Sequence, residues 1–333
     1  MADGPEFVPE NVKQFLTHFR GYVKDNNVPG ILSMYETQWP RLTEKYYQQQ
    51  PWPSPEIVQA QLPETDEVFM VLYKELYYRH INTRLQPSLA QRVYAWENYS
   101  DLFYHLLGAT TPNLELPVQW LWEIIEEFIY QYESWCQYVN KLGDKVRPAA
   151  AAPLLAATCD GGRAPVASEI VASSEAACAR RLVSDHFCHP SVRALPPLQS
   201  DEEIQYLKEN STIWNVTSVI GYLEYLKSKS NIIAWLERGG ERGLVGGTEE
   251  AATTTADGEY DFSSSETYRM LGYFCIIGQL RLHCLFRDYH LALKEISAIE
   301  LSGQGLYARI PECHVNLYYF MGFTCECTAV RNQ

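Results

Sequence analysis

The stretch over 117–138 leaves this chain little choice of secondary structure. Leu121, Ile125, Phe128, Tyr132 and Trp135 fall at i, i+4, i+7, i+11 and i+14. That spacing puts five large apolar groups on one face of a helix and scatters them over both faces of a strand. Pro117 suits the first helical position, where its missing N–H costs no hydrogen bond. Glu123, Glu126, Glu127 and Glu133 lie mostly off the stripe. The adjacent pair Glu126-Glu127 therefore reads as part of a solvated face, as does Glu202-Glu203.

The same period returns along the chain. Over 8–23, Val12, Phe15, Leu16, Phe19 and Val23 share a face, and Val28-Pro29-Gly30 reads as the stop. Further helices are expected over about 31–48, 67–81 and 88–107, the last in one or two pieces. Pro51-Trp52-Pro53-Ser54-Pro55 forces an extended stretch between them. Helices resume at Asp201, with Ser200 as N-cap, and run through Trp214 to Leu236. A hairpin follows over 266–286 and 289–299, broken at Arg287-Asp288, and a new helix starts at His314. Its pattern dissolves after Phe323, which leaves Tyr318, Tyr319, Phe320 and Phe323 in need of a partner, because a helical hairpin cannot bury its apolar face alone. The sequence thus reads as the front part of a longer scaffold. No stretch alternates as a strand would.

The expected fold is all-α, an elongated helical-repeat array with a disordered insert. It divides into an N-terminal helical domain (1–145), an Ala/Pro/Ser-rich disordered insert (146–199), a helical-repeat region (200–323) and a divergent tail (324–333). Hydrophobic residues make up 46% of the 333, enough for a sizeable core. The net charge of −14 is carried by the two helical regions, at −8 for 1–145 and −7 for 200–333, with +1 between them. Acidic surfaces repel a phosphate backbone, so protein partners are favoured over naked nucleic acid, and direct RNA contact is left open. Nine cysteines in no compact framework point to reduced thiols. The acidic start, Met1-Ala2-Asp3-Gly4-Pro5-Glu6, is no signal peptide, and no run is long and apolar enough to span a membrane. A cytoplasmic chain with no membrane contact is expected.

Each motif that could carry chemistry has a plainer reading. His186-Phe187-Cys188-His189 and the group Cys313, His314, Cys325 and Cys327 match no common zinc spacing. The glycine-rich run over 239–247 lacks the Lys-Ser/Thr of a phosphate loop. His80 and His283 sit in apolar patterns and read as packed histidines. Tyr73, Tyr77 and Tyr78 with Lys74, Arg79 and His80 alternate aromatic and basic groups as a nucleic-acid surface would. Yet Tyr73, Leu76, Tyr77 and His80 share one helical face, which favours core packing or a protein interface. No catalytic, cofactor-binding or metal-binding residue is assigned, and no enzymatic activity.

Several of these strings resemble one family. Phe69-Met70-Val71-Leu72-Tyr73-Lys74-Glu75-Leu76-Tyr77-Tyr78-Arg79-His80-Ile81 is similar to a segment of subunit L of eukaryotic translation initiation factor 3. So are Leu114-Glu115-Leu116-Pro117-Val118-Gln119-Trp120-Leu121-Trp122-Glu123-Ile124-Ile125, Ile213-Trp214-Asn215-Val216, Met270-Leu271-Gly272-Tyr273-Phe274, Arg281-Leu282-His283 and Arg309-Ile310-Pro311-Glu312-Cys313, in the same order. The resemblance covers about 8–145 and 200–323. It implies a non-enzymatic scaffold of the initiation factor 3 complex, supporting assembly of the 43S pre-initiation complex and mRNA recruitment to the small ribosomal subunit. Its implied partners are other subunits of the factor and, through them, that ribosomal subunit. It also implies a following PCI domain, which this sequence lacks, so a truncated product or a stand-alone helical-repeat adaptor without initiation activity is the alternative. The hairpin over 270–299 loosely resembles a tetratricopeptide (TPR) unit, with Tyr289 and Ala292 near the expected places and Arg287 where a small turn residue is usual.

Overall fold

The computed structural model describes residues 8–62, 66–108, 114–146, 205–207, 209–238, 260–299, 301 and 305–331. Among them the chain is an array of helices with no β-strand. The 146–199 segment read as a disordered insert lies outside the described residues, apart from Val146, which ends a helix. The Gly-rich run, His186 to His189 and Glu202-Glu203 lie outside them too.

Helix α1 (Glu10–Lys24) buries Val12, Phe15, Leu16, Phe19 and Val23, the five positions of the apolar stripe. The chain does not stop at Val28-Pro29-Gly30. Those residues instead open α2 (Val28–Ser33): the Asn27 side chain accepts from the Gly30 N–H at 3.0 Å, and Pro29 sits in the first turn, where it gives up no bond. A five-residue π-helical turn (Met34–Gln38) leads into α3 (Trp39–Tyr46). The proline-rich stretch is extended until Pro55 starts α4 (Pro55–Gln61). It is pinned from inside. Tyr73 Oη donates to Pro53 O at 2.6 Å, His80 Nε2 bonds Gln50 O at 3.0 Å, and Trp52 Nε1 donates to Thr43 Oγ1 at 3.0 Å.

Helix α5 (Glu67–Arg84) is the buried axis of this region, packed against α1, α4, α6 and α7. Helix α6 (Leu89–Gly108) is one piece, and α7 (Val118–Val146) runs beyond the stripe that announced it. Trp214 closes a turn at φ 51°, so the helix expected through it is interrupted before α8 (Val216–Ser230) and α9 (Ile232–Glu237). Helix α10 (Glu266–Leu285) is the second buried axis, touching α7, α8, α11 (Tyr289–Glu295) and α12 (Pro311–Arg331). Its end explains the break at Arg287. Asp288 N–H bonds His283 O at 2.9 Å and Arg287 N–H bonds Cys284 O at 3.0 Å, a left-handed stop with Arg287 at φ 61°.

The pattern read as dissolving at Thr324 stays helical to Arg331. Thr324 is fully buried; its hydroxyl donates to Phe320 O at 2.6 Å and lies 2.8 Å from Cys284 Sγ, so a polar residue packs inward where periodicity expected an end. The four aromatics expected to lack partners have them, Tyr319 meeting the Phe320 ring with centres 5.1 Å apart. Phe320 lies under the Arg281 guanidinium, Phe323 meets the edge of Tyr289, and Tyr318 Oη donates to Leu301 O at 2.8 Å.

Helices on either side of 147–204 share one apolar core. Trp214 lies among Trp96, Tyr99 and Phe128, with its Nε1 donating to Arg92 O at 3.0 Å. Tyr268 Oη donates to Leu106 O at 3.0 Å, and Trp122 meets Phe274 with ring centres 5.4 Å apart. Such edge and offset aromatic contacts join the two sides into one apolar core.

Candidate functional site

The densest polar arrangement lies where the π-turn meets α5 and α7. A carboxylate one helical turn before an arginine can fork onto its guanidinium. Glu75 does so: its Oε1 accepts from Arg79 Nε at 2.9 Å and Nη2 at 2.6 Å. Trp120 Nε1 donates to the other Glu75 oxygen at 2.9 Å. Arg79 Nη1 then reaches across to Glu123 Oε2 at 2.7 Å and to the Tyr35 hydroxyl, which itself donates to Glu123. Gln119 Nε2 closes the ring on Glu123 Oε1 at 2.9 Å. Tyr35 is stacked on Trp120, with ring centres 4.8 Å apart at 10°.

The Glu75 side chain is fully buried and that of Arg79 only 13% exposed. Removing two charges from water is costly, and only a fully connected set of bonds offsets it. Burial next to two carboxylates holds the Tyr35 phenol protonated, well above its ordinary range. One turn along α7, burial pushes the Glu127 carboxyl up to about 8 against the opposing pull of Arg79; Glu126 is also raised by burial. These two carboxylates are thus not the solvated pair that their spacing suggested. The reason is tertiary: α5 and α10 cover two sides of α7, so few of its residues meet open water.

Beside this network lies a cavity of about 400 Å³ lined by Tyr35, Glu36, Trp39, Pro40, Leu76, Arg79, Gln119 and Glu123. Its wall combines aromatic rings with carboxylates, and no nucleophile stands beside a base in it. The cavity has no counterpart in the sequence analysis. Its one legible sign is Tyr35 and Trp39 four residues apart on a helix.

The residues weighed earlier for chemistry are dispersed. Tyr73, Leu76, Tyr77 and His80 are buried in the core, and desolvation keeps His80 and His283 neutral by lowering their pKa. Cys313 is buried and Cys325 exposed, twelve positions apart on α12; the His314 ring lies between Tyr307 and Tyr318. Among the described residues, no group of His, Cys, Asp or Glu is arranged to hold a metal ion, and no helix is long and apolar enough to cross a membrane.

Two outward helix faces carry large side chains. On α6, Tyr94 and Tyr104 are 53% and 74% exposed and flank Glu97 and Asp101 on one stripe. On α12, Val315 and Tyr319 are 67% and 54% exposed. Tyrosine bodies of this kind suit protein contacts, being broad, rigid and able to bond at the tip.

The family model described as RNA polymerase I-associated factor PAF67 matches residues 91–326, from α6 to α12. Eukaryotic translation initiation factor 3 subunit L of Nematostella vectensis is 36% identical over 317 residues, covering 95% of this chain and 48% of its own length. The Homo sapiens and Xenopus tropicalis proteins of the same name are 36% and 35% identical over 341 residues, each covering 96% of this chain and 49% of its own length. The chain spans about half the length of the curated relatives it matches. Along most of its sequence, then, this chain belongs to the PAF67 family, and the relatives it matches are named subunit L of eukaryotic translation initiation factor 3.

Proposed function

We propose that the chain serves as a non-enzymatic scaffold subunit of eukaryotic translation initiation factor 3, supporting 43S pre-initiation complex assembly and mRNA recruitment to the small ribosomal subunit. The observation that carries this reading is collinear identity of about 36% with subunit L over 95% of the chain. The architecture supports it. The charges of Glu75, Arg79 and Glu123 are spent on holding helices together, and the exposed tyrosines of α6 and α12 offer surfaces for other helices. The partners in this reading are other subunits of the factor and, through the complex, the small ribosomal subunit. The net charge of −14 disfavours broad contact with RNA phosphates, and the chain works in the cytoplasm.

Co-purification from cells tests this reading. A tagged form of the chain is expected to recover other subunits of the initiation factor together with the small ribosomal subunit. Recovery of neither by a chain that melts cooperatively when purified overturns the reading.

A further inference from the structure

We infer that the cavity between the π-turn, α5 and α7 is a socket for an arginine side chain of a partner protein. The first ground is its charge. Of the residues lining it or bonded directly to its wall, Glu36, Glu75 and Glu123 are acidic and Arg79 alone is basic. Arg79 is already spent on Glu75 and Glu123, its Nε, Nη1 and Nη2 all donating to them. An arriving cation therefore meets a surplus of negative charge rather than a bare guanidinium. Glu36 is exposed at the rim and makes no ion pair among the described residues, and the Glu123 side chain is 34% exposed.

The second ground is shape and surface. About 400 Å³ suits a side chain or a group of similar size and is too small to take in a folded element or a base-paired nucleic acid. Tyr35, Trp39, Pro40 and Leu76 supply apolar walls for a methylene stem. The wall already holds one guanidinium in this way: the Arg79 Cζ lies 5.6 Å from the centre of the Tyr35 ring. Planar guanidinium matches carboxylates and aromatic surfaces together, whereas an ammonium is a compact, strongly hydrated point charge, so arginine fits better than lysine.

The third ground is local backbone. The π-turn Met34–Gln38 separates two neighbours by environment, burying Tyr35 against Trp120 while leaving Glu36 in solvent at the mouth. Such turns are uncommon in helices and are found disproportionately where a helix serves a site.

The socket deepens the scaffold reading by giving one contact a chemistry, but its ligand preference can be tested without any partner. The full chain, labelled with nitrogen-15 at tryptophan, is titrated with N-acetyl-arginine amide, N-acetyl-lysine amide and N-acetyl-citrulline amide. Citrulline keeps the shape of arginine and loses the charge. The expected result is a saturable shift of the Trp39 indole signal, with arginine binding at least about fivefold tighter than citrulline and tighter than lysine. In Glu36→Lys the shift is expected to vanish, with an unchanged melting temperature because Glu36 is an exposed rim residue; Glu36→Gln is expected to weaken it several-fold. No saturable shift, equal binding of citrulline, or undiminished binding in a folded Glu36→Lys overturns the socket. Those failures leave co-purification with the initiation factor untouched, so the two readings fall separately.

Discussion

Among the described residues, α5 and α10 are both buried on nearly every side, and they solve the same problem differently. Helix α5 in the N-terminal region carries charge into the core and surrounds it with hydrogen bonds. Glu75 and Arg79 are met there by Trp120, Tyr35 and Glu123. Helix α10 in the C-terminal region relies on close approach. A Cβ on Gly272 would come within 2.7 Å of Ile232 Cβ, and one on Gly278 within 2.9 Å of Ile129 Cδ1. The nearby charges sit at helix crossings, where Lys227 ties α8 to Glu295 of α11 at 2.8 Å and Arg281 ties α10 to Glu133 of α7 at 2.8 Å. The difference teaches that one apolar core can hold two kinds of specificity. A polar network fixes which groups meet, and a pair of glycines fixes how near neighbouring side chains come to the α10 backbone.

The largest expected effect falls on the α5 side. Arg79→Ala leaves Glu75 buried without its cation and is expected to cost ~3–5 kcal/mol in denaturant unfolding. If the loss is below 1 kcal/mol, the network is ornamental and the contrast between the two axes collapses. Gly272→Ala tests the other axis. With Ser230 and Ile232 against the new methyl, overpacking is expected to cost ~1–3 kcal/mol, seen as a lower melting temperature. A neutral result would show that α8 and α10 can separate freely.

A pH experiment sharpens the comparison further. The Glu127 carboxyl holds its proton more tightly in the fold than in the unfolded chain, where its pKa is about 4.5. The folded state therefore binds the extra proton between 4.5 and about 8, and stability falls as pH rises through that window, levelling above it. Glu127→Gln is expected to flatten that decline, measured as the difference from the unsubstituted chain in melts across the window. Parallel melting curves for the two chains would place Glu127 in water. The smallest effect is at the end of α10. Arg287→Gly relieves a left-handed backbone at φ 61° and is expected to stabilise by about 0.5–1 kcal/mol, less the entropy glycine adds to the unfolded chain. Destabilisation instead would mean that the arginine side chain holds α10 to its neighbours.

Much of the fold was legible in local spacing. The five apolar positions of α1, the stripe of α7 and the hairpin break at Arg287-Asp288 each follow from residues within a few turns of one another. The arginine that seemed out of place in a TPR-like turn proved to sit in the one backbone region where a small residue is usual. Boundaries were less legible. Val28-Pro29-Gly30 looked like a stop, and only the Asn27 cap makes it a start. Thr324 looked like the end of a pattern, and only its contact with Cys284 explains a helix that continues.

The candidate site was the least legible part. Glu75, Arg79, Tyr35 and Glu123 come from three separate stretches, and nothing in their spacing brings them together. Family resemblance identified the chain without identifying this cavity, because a match of strings records order and not proximity.

What the amino-acid order determined by itself was which segments coil and which face of each is apolar, since both depend on groups within one or two turns. Tertiary structure alone decided which polar groups lose their water. A carboxylate on α7 is solvated or buried according to what crosses it, and α5 and α10 lie far from it in sequence.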